Sequence, residues 1–351
     1  MPPSRLIPRR PIQIVRPTKK TLTSRDIAKV AGVSQTTVSR VLQGSPLVQP
    51  ETRKAVLQVI DQLGYQPSQA ARSMRTRRTN TVALVVASLS INPLYPALLQ
   101  LMSAALRRNG LYASVWEAED SDEDTMRALA ATSVDGVIVA TAMDAALPLL
   151  ARIGETRPVV LVNRTVASDA FDQISSDNRA GAAQVAAYFD EHRRHRVGLV
   201  TGALGRAHPS PIRDREAGFL AELHRRGIPM NEDVIARVPY FAYQTGFDAA
   251  RQLLARGDLD AIFCANDIVA IGALDGVRAG GARVPDDTWV VGYDDIPMCA
   301  WQAIDLTTVR QPLDAMVEAA VARLCERLGT GNLPPRRVVL PNTLVVRGSS
   351  A

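Results

Sequence analysis

The apolar residues follow two different rhythms, one up to residue 65 and another from residue 81 onward. In the N-terminal part they recur three and four positions apart, which is typical of short amphipathic helices. From Thr81, short β-branched runs alternate with amphipathic helical segments. Such runs indicate strands of buried parallel sheets when helices separate them. The pattern therefore predicts a small all-α unit followed by a much larger α/β unit.

Three short helices are predicted in the N-terminal part. Thr23 can cap the first helix, and Gly32 ends it in a tight turn. The second helix spans Gln35 to Leu42, and the third opens with Pro50 and closes at Gly64. The apolar positions are Ile27, Ala28 and Ala31 in the first helix and Val56, Val59, Ile60 and Leu63 in the third. In the second helix, Val38, Val41 and Leu42 are expected to face inward. Three helices with a glycine turn between the first two describe a helix-turn-helix.

The outer face of the second helix is polar but carries no acidic residue. Its side chains are hydrogen-bonding groups of modest size, namely Gln35, Thr36, Thr37, Ser39 and Arg40. A helix in the DNA major groove needs such groups, because each base pair presents donors and acceptors there. A merely solvated face would more often carry Glu and Lys. The second helix is therefore the candidate for reading bases, with a surface-only role as the alternative.

Charge is sorted along the chain in a way that favours a nucleic-acid partner for one end. Residues 1–80 hold 15 Lys and Arg against 3 Asp and Glu, whereas the remainder holds 26 against 32. A basic module on a mildly acidic body suggests a polyanion bound by that module alone. Residues 1–20 are expected to form a disordered basic tail that touches phosphates or is an inert extension.

The N-terminal motifs closely resemble the headpiece of the lac repressor (LacI/GalR) family. The resemblance rests on Ala31-Gly-Val-Ser34, on Thr37-Val-Ser-Arg-Val41 and on Gly64-Tyr-Gln-Pro67. It implies that Gln35, Thr36 and Arg40 read bases, where Arg40 would suit guanine. We expect Lys29 to contact phosphate.

Residues 66–80 form a basic linker in which Ala70, Ala71 and Met74 can share one side of two helical turns. So short a helix is marginal by itself. The resemblance implies a hinge helix that folds on DNA and inserts an apolar side chain into the minor groove. Met74 stands where the family usually has leucine, and methionine is among the residues that can unstack a base step. An ordinary flexible linker is the alternative.

The large unit is expected to hold a ligand beyond the carboxyl ends of its strands, as open α/β sheets do. The predicted strands are Val82–Ala87, Ala113–Trp116, Gly136–Ala140, Val159–Val162, Val197–Thr201, Ala261–Ala265 and Trp289–Gly292. Further motifs extend the family resemblance over residues 21–347, namely Ile212-Arg-Asp-Arg-Glu-Ala-Gly-Phe219, Ala265-Asn-Asp267, Val291-Gly-Tyr-Asp-Asp295 and Leu306-Thr-Thr-Val-Arg-Gln311. This part resembles the periplasmic sugar-binding protein fold, with two lobes of parallel sheet, three crossovers and a ligand cleft between the lobes.

The resemblance implies both domain boundaries and effector contacts. The domains would be the tail (1–20), a helix-turn-helix domain (21–65), a hinge (66–80) and an effector-binding and dimerisation domain (81–347), whose lobe one covers about 81–175 and 313–340 and lobe two about 176–310 and 341–347. The implied effector contacts are Asn92, Tyr95, Asn163, Arg215, Phe241, Asn266, Asp294 and Gln311. Carboxylate, amide and guanidinium groups suit a polyhydroxylated ligand. Asp294 as a cap, Arg215 paired with Asp214 or Glu216, and Phe241 as ordinary core are the alternatives.

The enzyme classes find little support. His192 and His195 have a spacing that can bind metal, but a solvated basic helix end is the better interpretation, and neither a metal nor a cofactor is expected. No nucleophile elbow, Walker loop or GxGxxG motif follows a strand. Cys264, Cys299 and Cys325 are expected to be buried thiols. With no export signal or membrane-length apolar run, a cytoplasmic location is expected.

The residues and the resemblance together predict a cytoplasmic transcriptional regulator that is expected to act as a repressor. A homodimer would bind a palindromic DNA operator, and a sugar-like effector in the cleft would control it. The sequence ends soon after Arg347, so we expect a dimer without a tetramerising helix. A sugar-binding or sugar-modifying protein with a vestigial headpiece is the alternative.

Overall fold

The computed structural model describes residues 22–42, 44–65, 78–86, 89, 92–118, 123–140, 147–202, 210–331 and 333–351. The chain divides into two compact units, the first ending at Thr79 and the second running from Asn80 to Ala351. The predicted tail, and Met74 in the predicted hinge, lie outside the described residues.

The first unit contains three short helices whose ends follow from local chemistry. They are α1 (Ser24–Val30), α2 (Gln35–Leu42) and α3 (Pro50–Leu63). Thr23 and Asp26 form a reciprocal capping box at the start of α1. Gly64 ends α3 in the left-handed region, with φ 58°, where glycine has no steric penalty. The predicted helices and turns of the helix-turn-helix are thus confirmed.

The core of the first unit is narrow. It consists of Ile27, Ala28, Val38, Val41, Val48, Val56 and Tyr65. The expectation that Leu42 faces inward is wrong, since 37% of it is exposed. Three short helices enclose only a thin apolar stripe, which Val38 and Val41 fill, and Leu42 falls at its edge.

Lobe one of the second unit is a six-stranded sheet in the order β11-β5-β4-β3-β1-β2, with parallel pairing throughout the described strands. Its elements are β1 (Thr81–Val86), α4 (Leu94–Arg108), β2 (Tyr112–Glu117), α5 (Glu123–Ala131), β3 (Gly136–Val139), α6 (Leu147–Gly154), β4 (Val159–Val162), β5 (Asp172–Ser176), α11 (Leu313–Thr330) and β11 (Arg337–Leu340). Helices α4 and α11 pack on one face of the sheet, and α5 and α6 pack on the other. Both faces are therefore covered, as a parallel sheet requires.

Lobe two repeats this plan with the order β12-β10-β9-β8-β6-β7. Its elements are α7 (Asn178–Glu191), β6 (Val197–Gly202), α8 (Ser210–Arg225), β7 (Ile235–Val238), α9 (Tyr243–Arg256), β8 (Ala261–Cys264), α10 (Asp267–Ala279), β9 (Trp289–Asp294), β10 (Thr307–Arg310) and β12 (Thr343–Val345), with short 3₁₀ helices at Glu232–Val234 and Pro297–Ala300. Strand β12 runs antiparallel to β10, and the other described pairs are parallel. Helices α7 and α8 cover one face, and α9 and α10 cover the other.

Three short segments cross between the lobes. The first joins β5 to α7 at Asp177, the second joins β10 to α11 at Gln311 and Pro312, and the third joins β11 to β12 at Pro341 and Asn342. The predicted two-lobed fold with parallel sheets and three crossovers is confirmed. Five strands, β5, β7, β10, β11 and β12, were absent from the prediction. They are short and partly polar, so their sequences lack the apolar run that marks the other strands.

Candidate functional site

The second helix of the first unit presents polar side chains outward. Gln35, Thr36 and Arg40 are exposed, while Thr37 and Ser39 are half-buried. Gln35 Nε2 donates a hydrogen bond to Ser24 Oγ of α1 at 2.9 Å. The polar surface thus combines one tethered amide with an exposed hydroxyl and an exposed guanidinium.

Thr37 has a structural partner. Its backbone N–H donates to Ser34 Oγ at 3.1 Å, and its own Oγ1 lies 2.9 Å from the same atom. Ser34 therefore caps α2, and the Thr37 hydroxyl helps to hold that cap. Lys29 is exposed in the last turn of α1, so its ammonium is accessible. The DNA contacts of all these residues remain predictions.

Asp294, the last residue of β9, is the centre of a polar cluster between the lobes. It is 3% exposed. Its Oδ1 lies 2.9 Å from Arg215 Nη2 and accepts from Gln311 Nε2 at 2.8 Å. Its Oδ2 accepts from Asn92 Nδ2, a lobe-one group 202 positions away in the sequence, at 3.3 Å. The structure thus brings together four of the predicted effector residues.

Arg215 is held on every side. Its Nε donates to Asn178 Oδ1 at 2.9 Å and its Nη1 donates to the Ala265 carbonyl at 2.7 Å. Its guanidinium carbon lies 3.8 Å from the centroid of the Tyr293 ring, a cation–π contact. Breaking one side of so buried an ion pair would strand the other charge. Arg215 is therefore a fixed donor.

The alternative partners of Arg215 are engaged elsewhere. Asp214 accepts a hydrogen bond from Arg179, and Glu216 pairs with Arg237. The hypothesis that Arg215 merely pairs with a neighbour on its own helix surface is therefore wrong. The charge pair between Arg215 and Asp294 joins α8 to the end of β9.

Asn163 adds a buried acceptor at the end of β4 in lobe one. It is 4% exposed and adopts φ 56°. Its Oδ1 accepts no hydrogen bond from any residue that the structure describes. A buried acceptor in this condition costs about 1–3 kcal/mol. A donor on a bound molecule would remove that cost.

The three remaining predicted effector residues, Asn266, Phe241 and Tyr95, also take part in capping or packing. Asn266 Oδ1 accepts from the Val269 N–H at 3.0 Å, so this carbonyl caps α10. Phe241 is half-buried and packs against the lobe-two apolar cluster. Tyr95 is half-buried in the first turn of α4, next to Leu94, which is buried in the lobe-two apolar cluster. Each of the three has at least part of a structural role.

Asp267 is a neighbour that the effector-contact prediction omitted. It is completely buried at the start of α10. Its Oδ1 accepts from Thr308 Oγ1 at 2.5 Å, and its Oδ2 accepts from the Ile296 N–H at 2.9 Å. Burial, together with the charge of Asp294, raises the pKa of Asp267 to about 7. The Asn266-Asp267 pair after a strand was the available signal.

Ser176, Asn178 and Asn342, all at the crossovers, were also missed. Their side chains contact Gln311, Arg215 and Tyr293 respectively. Small polar residues in connecting segments give no distinctive sequence signal, and their partners lie far along the chain.

Models of known protein families match both units of the chain. The model for bacterial regulatory proteins of the lacI family matches residues 23–68, and that for a periplasmic binding protein-like domain matches residues 186–350. The transcriptional regulator MalR of Streptomyces coelicolor is 34% identical over 337 residues, which is 93% of this chain and 96% of that protein. The chain belongs to the lacI family.

Solved structures agree with this assignment. A transcriptional regulator CelR–cellobiose complex is similar to this lacI-family regulator with a TM-score of 0.70 and 32% identity, covering 93% of this chain and 99% of the other. A lac repressor dimer bound to operator and the anti-inducer ONPF is similar with a TM-score of 0.83 and 25% identity, covering 94% and 99%. The repressor PurR of Photobacterium profundum is 32% identical and covers 93% of this chain and 98% of its own length. The lacI-family member described here is thus a transcriptional regulator, and such relatives form a non-enzymatic class.

The histidines considered as metal ligands have other contacts in this lacI-family regulator. His192 Nδ1 lies 2.9 Å from the Tyr188 carbonyl oxygen, and His195 Nε2 lies 3.0 Å from Asp190 Oδ1. Among the described residues, His, Cys, Asp and Glu form no group of three that can hold a metal ion. Cys264 and Cys299 are buried as expected, whereas Cys325 is only half-buried, because it lies at the margin of the lobe-one core. Within the described part, no helix combines the length and hydrophobicity of a membrane span.

Proposed function

We propose that this regulator is a repressor that binds a palindromic operator as a homodimer. A sugar or sugar derivative that enters the interlobe cleft would control it, either by releasing the protein from the operator or by strengthening its binding to the operator. The observation that carries the proposal is the buried Asp294 cluster, to which both lobes contribute. A ligand that contacts such a cluster binds differently to open and closed lobes, which is the requirement for control.

The chemistry of the cleft favours a ligand with several hydroxyl groups. Asp294 Oδ2 accepts a long hydrogen bond of 3.3 Å from Asn92, and a carboxylate oxygen has room for a further donor from a ligand hydroxyl. Asn163 Oδ1 offers a second buried acceptor. Arg215 and Gln311 present donors, and Phe241 offers an apolar face. The CelR complex contains cellobiose, which supports a sugar for this chain as well.

The DNA contacts are assigned to the first unit. We infer that Gln35, Thr36 and Arg40 contact base edges, that Thr37 and Ser39 line the same surface, and that Lys29 contacts a phosphate. The hinge role of Met74 stays a prediction. A homodimer would place one such helix in each half-site, and the protein would act in the cytoplasm, where its operator lies. The lac repressor dimer bound to operator supports this arrangement.

The direct test is selection of duplexes from a random pool by the purified full-length protein. We expect an enriched palindrome. Replacing Arg40→Ala should relax the preference at one base pair per half-site by about tenfold, because a bidentate contact discriminates by about 1–3 kcal/mol. Lys29→Ala is the matched control, since loss of a phosphate contact weakens all duplexes alike. Equal binding of every duplex by both variants and by the wild type would refute the DNA-reading role.

The effector is sought by thermal shift with cellobiose, maltose, D-glucuronate and hypoxanthine as probes. A ligand that binds the native state raises the melting temperature. Asp294→Asn should remove the shift that the wild type shows, because the side chain that accepts hydrogen bonds from the ligand hydroxyls loses its negative charge. A shift that persists unchanged in that variant would place the ligand elsewhere.

A further inference from the structure

The third crossover carries a buried amide that contacts two other parts of the interlobe region. Asn342 is 6% exposed. Its Nδ2 donates to Tyr293 Oη at 2.6 Å and to the Asp177 carbonyl, in the first crossover, at 2.9 Å. The Asp177 N–H in turn donates to the Leu340 carbonyl at 2.8 Å. The first and third crossovers are therefore joined by side-chain and backbone hydrogen bonds.

A second amide joins the remaining crossover. Gln311 Oε1 accepts from Ser176 Oγ at 2.9 Å, and its Nε2 donates to Asp294. Asn178, which follows the first crossover, accepts from Arg215. Asn342 and Gln311 thus connect all three crossovers with one another and with Arg215 and Asp294.

The residues around Asn342 are closely packed. A Cβ atom on Gly181 of α7 would lie 2.3 Å from Tyr293 Oη and 3.0 Å from Asn342 Nδ2. The ring of Tyr293 is the same surface on which the Arg215 guanidinium rests. Tyr293 therefore contacts both the third crossover and Arg215.

The Asn342 amide is not explained by core packing alone. No described residue donates a hydrogen bond to its buried Oδ1. An apolar side chain at this position would avoid the desolvation cost of that oxygen. What Asn342 contributes is therefore its donor group, which an apolar residue lacks.

We propose that Asn342 and Gln311 are positioning residues that form a crossover clasp, defined by Ser176, Asp177, Asn178, Gln311, Tyr293 and Asn342. The clasp makes the three crossovers move as one unit and sets the positions of Arg215 and Asp294. The inference rests on the proposed function only in taking those two residues as effector contacts and lobe closure as the control of operator binding.

The clasp is tested by hydrogen exchange in the ligand-free full-length protein. Asn342→Ala should accelerate exchange by about five- to tenfold, the effect of one net hydrogen bond, at Asp177 in the first crossover and at Leu313 beyond the second. The matched control is Thr343→Ala, the exposed neighbour on β12. Acceleration confined to residues 341–345, or equal in the two variants, would overturn the clasp.

A second pair of variants separates the hydrogen bond from general destabilisation. Tyr293→Phe keeps the ring under Arg215 and removes the hydroxyl, which accepts from Asn342 and donates to the Asn178 carbonyl at 3.5 Å. Tyr188→Phe removes a comparable hydroxyl, which donates to the Ser350 carbonyl at 2.8 Å outside the clasp. Only Tyr293→Phe should accelerate exchange at Asp177 and Leu313. If Tyr188→Phe caused the same acceleration, the effect of Tyr293→Phe would be a general loss of stability, and the clasp would be refuted.

The link to function is measured with the duplex that the wild-type protein selects, without any sugar. Asn342→Ala should weaken its binding by about threefold or more, because loosened lobes populate the DNA-binding arrangement less often, whereas Thr343→Ala should not. Unchanged affinity with accelerated exchange would remove the positioning role. A wild-type protein that selects no duplex would sink the proposed function and leave the exchange experiment to judge the clasp.

Discussion

Asp267 illustrates how one buried carboxylate supports an otherwise unfavourable turn. Asp294 and Asp295 both have positive φ, at 119° and 55°, in a region that L-residues rarely adopt. The Ile296 N–H that follows them donates to Asp267, and Thr308 of β10 donates to the same carboxylate. Asp267 therefore holds the turn that places Asp294 against Arg215 and Gln311.

The raised pKa of Asp267 makes stability depend on pH. The folded pKa of about 7 lies above the ordinary value of 3.8, so folding takes up a proton. This stabilisation is fully present below the unfolded pKa and is lost as pH rises through about 7. Relative to Asp267→Asn, the wild-type free energy of unfolding should fall as pH rises from about 5 to 7, with a slope of about 1.4 kcal/mol per pH unit at the start, and should level off by about pH 8.

Urea unfolding of both proteins at several pH values measures this difference. Because each protein contains the same histidines, their titration cancels in the comparison. A difference between the two unfolding free energies that stays constant from about pH 5 to pH 7 would contradict the raised pKa.

At the scale of elements, helices α9 and α10 pack unusually closely because glycines lie where they meet. A Cβ on Gly272 would lie 1.9 Å from the Tyr243 carbonyl oxygen, and one on Gly246 would lie 2.1 Å from that of Val269. These contacts are with backbone, which cannot rotate away. Phe241 precedes α9 and Asn266 precedes α10, so both lie at the N-terminal end of this helix pair, and the spacing of the pair affects their positions.

Gly272→Ala should therefore lower the free energy of unfolding by about 1–3 kcal/mol or more, since the helices must separate. A Cβ on Gly329, near the end of α11, would come within 4 Å of no described atom beyond its chain neighbours and the backbone of its own helix. Gly329→Ala should raise stability by up to about 1 kcal/mol through its higher helix propensity. Urea unfolding followed by circular dichroism measures both, and equal effects of the two substitutions would argue against the close approach.

At the scale of the whole molecule, charge is divided between a basic and an acidic part, to which we assign different partners. The first 80 residues carry the excess of Lys and Arg, and the rest carries the excess of Asp and Glu. Phosphate contacts release counterions and are salt-dependent, whereas a buried cluster such as that around Asp294 is screened much less. The two binding activities should therefore respond differently to ionic strength.

Raising salt from about 50 to 200 mM should weaken binding to the selected duplex by roughly a hundredfold or more. Lys29→Ala should reduce the slope of log affinity against log salt by about one. Fluorescence anisotropy with labelled duplex provides the measurement. A salt-independent affinity would show that the basic excess does not engage the DNA backbone.

The helix boundaries of the first unit could be predicted from the sequence more completely than the strands of the second unit. Caps and turns at Thr23, Gly32, Pro50 and Gly64 are local, and the helix boundaries followed from them. Leu42 was misjudged because exposure depends on how wide a stripe the neighbouring helices cover. In the large unit, the apolar strands were identifiable, but β5, with the sequence Asp-Gln-Ile-Ser-Ser, was not. It is a strand because neighbouring strands pair with it.

The order of helices and strands, the charge division and the residue types of the cleft were determined by the sequence itself, because each depends on neighbours within a few positions. Only the tertiary structure decided that Arg215 pairs with Asp294 rather than with the carboxylates beside it. The same holds for Asn342, which meets Tyr293 and Asp177 across 49 and 165 positions. Such contacts depend on where three crossovers bring distant segments together, and no local pattern records that geometry.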